Sequence, residues 1–78
     1  MPARRRAATP QRRFGAVVRV VRLRQKLTQE ELAHRSGIST AFMSHVECGT
    51  KTVSLETIAK LAAGLKTKGG ELLLDAGI

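Results

Sequence analysis

Residues 27–49 read LTQEELAHRSGISTAFMSHVECG. Two short helical patterns meet at a glycine in this stretch. The first opens at Thr28 and carries the apolar pair Leu32 and Ala33. The second opens at Ser39 and carries Met43 and Val46. Threonine and serine are strong N-cap residues, because their side-chain oxygens accept N–H groups that the first helical turn leaves unpaired. Glu31 stands three positions after Thr28, which completes a capping box. Gly37 suits a sharp turn, since glycine adopts positive φ without steric cost. Ala33 is small enough to let two helices approach closely.

Two helices crossing through a tight glycine-containing turn make a helix-turn-helix, whose second helix fits the DNA major groove. The charge distribution points the same way. The net charge is +8. Residues 1–26 hold nine Lys or Arg and no acid, whereas residues 27–78 hold five against six acids. Basicity therefore belongs to the N-terminal third, where it attracts a polyanion, nucleic acid before anionic membrane. The bland alternative is a solvated tail.

A chain of 78 residues holds one domain with a small core, and 42% hydrophobic with 3% aromatic residues suits an aliphatic helical bundle. Residues 1–11, MPARRRAATPQ, read as a flexible basic arm, and residues 12–78 as the folded domain. A first helix is expected at about 12–25. AVVRVV at 16–21 is β-branched and locally strand-like. However, Phe14, Val18, Val21 and Gln25 fall on one face at helical spacing. Val17, Val20 and Leu23 form a second stripe, either tolerated surface valines and leucine or a contact with the arm or another subunit. Further helices are expected at about 29–35, 40–47 and 55–65. The last is capped by Ser54 and presents Leu55, Ile58, Ala59, Ala62 and Leu65 along one face. Gly69-Gly70 is expected to break the chain. ELLLDAGI at 71–78 fits a short fifth helix or a strand, because three consecutive leucines carry no period.

Arg22, LTQEELA at 27–33, Gly37-Ile38-Ser39, Met43, Val46, Glu47, Gly49 and SLETIAKLA at 54–62 together resemble the lambda-repressor-like (Cro/repressor, or XRE) helix-turn-helix regulators. The resemblance covers about residues 14–74. It implies an all-α, compact five-helix domain with a central helix-turn-helix. FG at 14–15, FMSHVECG at 42–49 and VSLETIAKLA at 53–62 are most similar to the small controller proteins of restriction–modification systems. Two departures stand out. Lys26 replaces a glycine that many relatives place before the LTQ segment, and a left-handed backbone there would strain it. Thr40 and Ala41 replace the arginine or glutamine common early in the third helix.

At 100° per residue, Thr40, Ala41, Ser44 and His45 share one small, polar face of the third helix, with Met43, Val46 and Phe42 toward the other. The resemblance implies that the polar face enters the major groove. The hydroxyls of Thr40 and Ser44 donate or accept. The Thr40 and Ala41 methyls fit thymine methyls, and His45 can donate to guanine. Its alternative is a phosphate or solvent contact. No Arg, Asn or Gln supplies a bidentate base contact, so DNA shape and the arm are expected to contribute. Phosphate contacts are expected from Gln29 at the start of the second helix, where free N–H groups favour an anion. The caps Thr28 and Ser39 join it. So do Thr50, Lys51 and Thr52, whose alternative is an ordinary polar loop, and Arg12 and Arg13, with Arg4, Arg5 and Arg6 of the arm. The family resemblance implies a partly buried salt bridge between Arg22 and Glu47.

The resemblance also implies two copies on half-sites roughly 34 Å apart. Leu72, Leu73, Leu74 and Ile78 form the expected homodimer surface, because together with Leu61 or Leu65 they exceed what the small core can absorb. The alternative is that they complete the monomer's own core. A strand at 71–78 would instead pair two copies edge to edge. The expected partner is a double-stranded DNA operator. A rival reading is an antitoxin that binds a protein partner and regulates its own promoter.

Catalysis is not expected. His34 and His45 fall on different helices, Cys48 has no sequence-near base, and no metal-ligand cluster or phosphate-binding glycine motif is present. No cofactor and no metal are expected. Cys48 is either an inert helix-end residue or a thiol near the DNA surface. A single cysteine suits the cytoplasm, and no apolar run approaches the roughly 20 residues of a membrane span.

Overall fold

The computed structural model describes residues 9–78, and the expected contacts of Arg4, Arg5 and Arg6 lie outside them. Five helices follow in order: α1 Pro10–Arg24, α2 Gln29–Ser36, α3 Thr40–Cys48, α4 Leu55–Gly64 and α5 Gly69–Asp75. The ambiguous valine run is helix, and 71–75 is helix rather than strand.

α1 begins earlier than its sequence pattern predicts. Thr9 is the N-cap, its hydroxyl oxygen accepting the Arg12 N–H at 3.3 Å, and Pro10 occupies the first turn. Proline is favourable there because the N–H it lacks would have had no helical partner. Residues 9–11 thus belong to the folded domain and not to an arm. Arg22 and Arg24 close the last turn, where cations complement the helix dipole. The chain then turns through Lys26 at φ 60°, the left-handed conformation anticipated at that position.

The capping reading holds throughout the centre. Thr28 accepts the Glu31 N–H while Glu31 accepts the Thr28 N–H at 2.8 Å. Ser39 and Ser54 cap α3 and α4 from one side, their hydroxyl oxygens accepting the Phe42 and Thr57 N–H groups. Gly37 ends α2 at φ 71°. Each device satisfies backbone groups that helix ends leave open.

The core is aliphatic with one aromatic ring: Phe14 and Val18 of α1, Leu32 and Ala33 of α2, Met43 and Val46 of α3, Leu61 and Leu65 of α4, and Leu72 of α5 are all buried. Two crossings are unusually close. A Cβ on Gly15 would sit 2.2 Å from the Val46 carbonyl oxygen and 2.7 Å from that of Glu47. A Cβ on Gly64 would sit 2.3 Å from Oγ of Ser36. α1 thus lies against the end of α3, and α4 against α2.

Three expectations need correction. Leu55 is 81% exposed and Ala59 is exposed, so the buried face of α4 runs through Leu61, Ala62 and Leu65 with Ile58 at its edge. Leu55 is the first residue of α4. Gly69 and Gly70 do not break the chain; they form the first turn of α5. Leu72 is buried in the monomer at 1% exposure, as are Leu61 and Leu65, which removes Leu72 from the expected dimer surface. α5 folds back on α1 and α4, so these leucines meet the rest of the core.

Candidate nucleic-acid interface

α3 turns two chemically distinct faces in opposite directions. Met43 and Val46 face the core. Thr40, Ala41 and His45 are exposed, and Ser44 is half-buried beside them. Phe42 lies between the two faces, half-buried and packed against the core. The four residues expected to meet bases therefore share one accessible surface of a single helix. Its hydrogen-bonding groups are two hydroxyls and an imidazole, flanked by methyls.

The first turn of α3 contains no acidic residue. The Phe42 N–H is taken by Ser39 Oγ at 3.0 Å, which leaves the N–H groups of Thr40 and Ala41 without helical partners. Ser39 keeps its hydroxyl hydrogen to donate. The start of α2 differs. Glu30 and Glu31 stand in its first turn, and the Glu31 carboxylate occupies the cap. The free donors there reduce to the Gln29 and Glu30 N–H groups, the Thr28 hydroxyl hydrogen and one of the two hydrogens of the Gln29 amide, the other being taken by Glu47. The Thr28 bonds hold the Glu31 carboxyl below the ordinary carboxylate range.

Behind this surface lies a charged network. Arg22 Nε donates to Glu47 Oε2 at 2.6 Å and Nη2 to Oε1 at 3.1 Å. Nη1 of Arg22 donates to the Leu27 carbonyl at 2.7 Å. The side chains are 9% and 2% exposed. A forked guanidinium–carboxylate pair of this kind fixes both partners in orientation. Gln29 Nε2 donates to Glu47 Oε1 at 3.0 Å. The network thus joins α1, the start of α2 and the end of α3. Its inclusion of Gln29 is not visible in the sequence, because nothing local relates positions 29 and 47.

The loop after α3 carries Thr50, Lys51 and Thr52, all exposed. It lies beside the start of α1, since a Cβ on Gly49 would meet the Arg12 Cα at 2.7 Å. Arg12 is exposed there. Arg13 is half-buried, and its Nε donates to the Ala76 carbonyl at 3.0 Å, so part of its guanidinium ties α1 to the C-terminus. His45 Nδ1 lies 3.0 Å from Thr50 Oγ1. Cys48 is a free, exposed thiol at the last residue of α3.

Away from α3, Leu74 and Ile78 are 74% and 56% exposed, and Leu73 is half-buried against the core. Val20 and Leu23 of α1 are also exposed. A groove lined by Val17, Val20, Val21 and Asp75 runs between α1 and α5. Among the described residues, no group of three His, Cys, Asp or Glu side chains is placed to hold a metal, and no helix is long and apolar enough to cross a membrane.

A family model described as a helix-turn-helix domain matches residues 13–74. The chain is 45% identical over 65 residues to the uncharacterized HTH-type transcriptional regulator RghRB of Bacillus subtilis, covering 82% of this chain and 47% of that protein. It therefore spans about half the length of that relative. It is 36% identical over 61 residues to the control protein C.BamHI of Bacillus amyloliquefaciens, covering 77% of this chain and 75% of that one. Among solved structures, the restriction-modification controller protein C.AhdI from Aeromonas hydrophila superposes with a TM-score of 0.75 at 40% identity, covering 77% and 91% of the two chains. The clp gene regulator ClgR from C. glutamicum gives 0.83 at 30% identity, covering 88% and 90%.

Proposed function

Since the chain belongs to the helix-turn-helix family of DNA-binding transcriptional regulators, we propose that it binds a specific operator as a homodimer, in the manner of a restriction–modification controller protein. The observation that carries this reading is the outward face of α3, with Thr40, Ala41 and His45 exposed beside half-buried Ser44. In this reading α3 lies in the major groove. Ser44, Thr40 and His45 supply single hydrogen bonds, and Ala41 and the Thr40 methyl meet thymine methyls. Thr28, Gln29, Ser39, Lys51, Thr52 and Arg12 hold phosphates on either side and fix the register. The modest bonding capacity of α3 leaves DNA shape to supply part of the discrimination.

Two copies pair through the exposed apolar side chains of Leu74, in α5, and Ile78, just beyond it. Exposed Val20 and Leu23 of α1 support a second reading, a docking surface for a different protein, as in an antitoxin. The cytoplasm is the matching compartment for a DNA-binding regulator.

Selecting bound duplexes from a random pool tests the reading. A two-fold sequence with half-sites about one helical turn apart is expected. His45→Ala and Ser44→Ala should erase preference at particular positions of each half-site. The logarithm of the affinity should fall with log salt at a slope of about −0.9 per phosphate neutralised. Sedimentation of Leu74→Lys should show a monomer. Recovery of no preferred sequence would refute the reading, and a Leu74→Lys dimer would refute the pairing surface.

A further inference from the structure

We infer that Glu47, enclosed within the domain, positions a DNA-backbone contact by holding the donor end of the Gln29 amide ready for a phosphate. The inference rests on the proposed placement of α3 in the major groove, with Gln29 on the flanking backbone. The Glu47 side chain is 2% exposed, so it acts on a duplex only through what it holds. Its Oε2 accepts Arg22 Nε at 2.6 Å, and its Oε1 accepts both Arg22 Nη2 at 3.1 Å and Gln29 Nε2 at 3.0 Å. The same guanidinium donates from Nη1 to the Leu27 carbonyl, just before α2. The entry to α2 is thereby held at two points, one on its backbone and one on a side chain. Glu47 is itself fixed from behind. Its carbonyl lies against α1 at Gly15, where an added Cβ would come within 2.7 Å of it.

A glutamine amide has two ends, a carbonyl oxygen that accepts and an NH2 group that donates. An ionised carboxylate only accepts. With Glu47 paired to Arg22, turning the amide over would set its carbonyl oxygen against a carboxylate oxygen. The NH2 end therefore faces Glu47, with one hydrogen bound and the second free. Gln29 is half-buried and is the first residue of α2. Its free amide hydrogen adds to the unpaired N–H groups of Gln29 and Glu30 at this helix end. Orientation matters here, because Glu30 and Glu31 stand in the same turn and offset the attraction of the helix dipole for an anion. A released amide would turn its carbonyl end to a phosphate as readily as its NH2 end, and its ordering would fall on the binding step. Held by Glu47, the amide is ordered when the domain folds. Glu47 is thus a positioning residue that acts through Gln29, in addition to its part in stability.

Removing the acceptor without unfolding the domain tests this. Arg22→Met combined with Glu47→Leu replaces the pair by apolar side chains, and circular dichroism checks its folding at the assay temperature. The duplex that the parent selects is remade with a neutral methylphosphonate at one backbone position at a time. At one position in each half-site, the methylphosphonate should weaken parent binding about 3- to 10-fold, the worth of one hydrogen bond, and Gln29→Ala should abolish that sensitivity. The double variant should lose the sensitivity at the same position and keep it at the positions that answer to Lys51→Ala and Arg12→Ala. Adding Gln29→Ala to it should cause no further loss there. Retained sensitivity at the Gln29 position in the double variant, or equal weakening at every position, would overturn the inference. If no position answers to Gln29→Ala, the inference also falls, while the base contacts of α3 stand. In 15N spectra of the free protein, one Gln29 side-chain hydrogen should be shifted downfield, and the shift should vanish in the double variant. A shift that persists there, or is absent from the parent, would overturn the inference whatever the DNA result. If the parent selects no duplex, the operator reading fails and the phosphate role with it, and the spectra show separately whether Glu47 holds the amide.

Discussion

Glu47→Ala isolates the network that ties α3 to the rest of the domain. The substitution removes both acceptors of the Arg22 fork and the acceptor of Gln29 Nε2. Arg22 keeps only its bond to the Leu27 carbonyl, with its side chain 9% exposed. A guanidinium left there without its carboxylate is costly, because the surrounding aliphatic side chains do not replace the lost charge or hydrogen bonds. Breaking a buried pair from one side costs about 3–5 kcal/mol. A domain of this length is stable by about 4–12 kcal/mol. The variant should therefore lose about a quarter or more of its stability. At about 4–8 °C per kcal/mol for a domain of this size, the melting temperature should fall by at least about 12 °C. Circular dichroism during thermal and urea unfolding reads this directly. Arg22→Met combined with Glu47→Leu supplies the control: replacing both charges by apolar groups should recover most of the loss. A fall of less than about 4 °C in Glu47→Ala, or no recovery in the double variant, would refute the argument that the pair acts as a desolvated unit.

The close crossings give a second prediction with a built-in contrast. Gly15→Ala places a methyl against two backbone carbonyls and should cost about 1–3 kcal/mol or more in urea unfolding. Gly70→Ala, within the first turn of α5 and with nothing within 4 Å of the added carbon, should gain about 0.5–1 kcal/mol in the same measurement. Ser36 Oγ is buried without a hydrogen-bond partner, so Ser36→Ala should raise the urea midpoint by an amount worth about 1 kcal/mol. The depressed Glu31 carboxyl gives a pH dependence: the folded state holds its proton less tightly than the unfolded chain. The associated stability is therefore present above the ordinary carboxylate range and is lost as pH falls through the folded value. Glu31→Gln should flatten the acid limb of a stability–pH profile, and an unchanged limb would contradict the assignment.

The parts of this fold legible in the sequence are those governed by neighbours along the chain. The Thr28–Glu31 box, the Ser39 and Ser54 caps and the Gly37 and Gly49 turns each involve residues within a few positions. The outward face of α3 followed from its own periodicity. The less legible features depend on what lies across space. Leu55 belongs to an apolar stripe but is exposed, and Leu72 and Leu74 differ only in which side of α5 meets the core. The early start of α1 at Pro10 turns on the Thr9 cap. The engagement of Arg13 with Ala76, of Gln29 with Glu47 and of Thr50 with His45 joins residues whose proximity is fixed by helix crossings or by a turn.

The absence of side-chain atoms where α1 crosses α3 has a consequence for discrimination. With the Gly15 backbone seated on the carbonyls of Val46 and Glu47, and Arg12 seated on Gly49, the end of α3 has no room to roll or slide beneath α1. In the proposed complex, an altered operator would then meet a recognition helix braced from behind: an ill-fitting base pair would forfeit its bonds, and most of the adjustment would fall to the DNA.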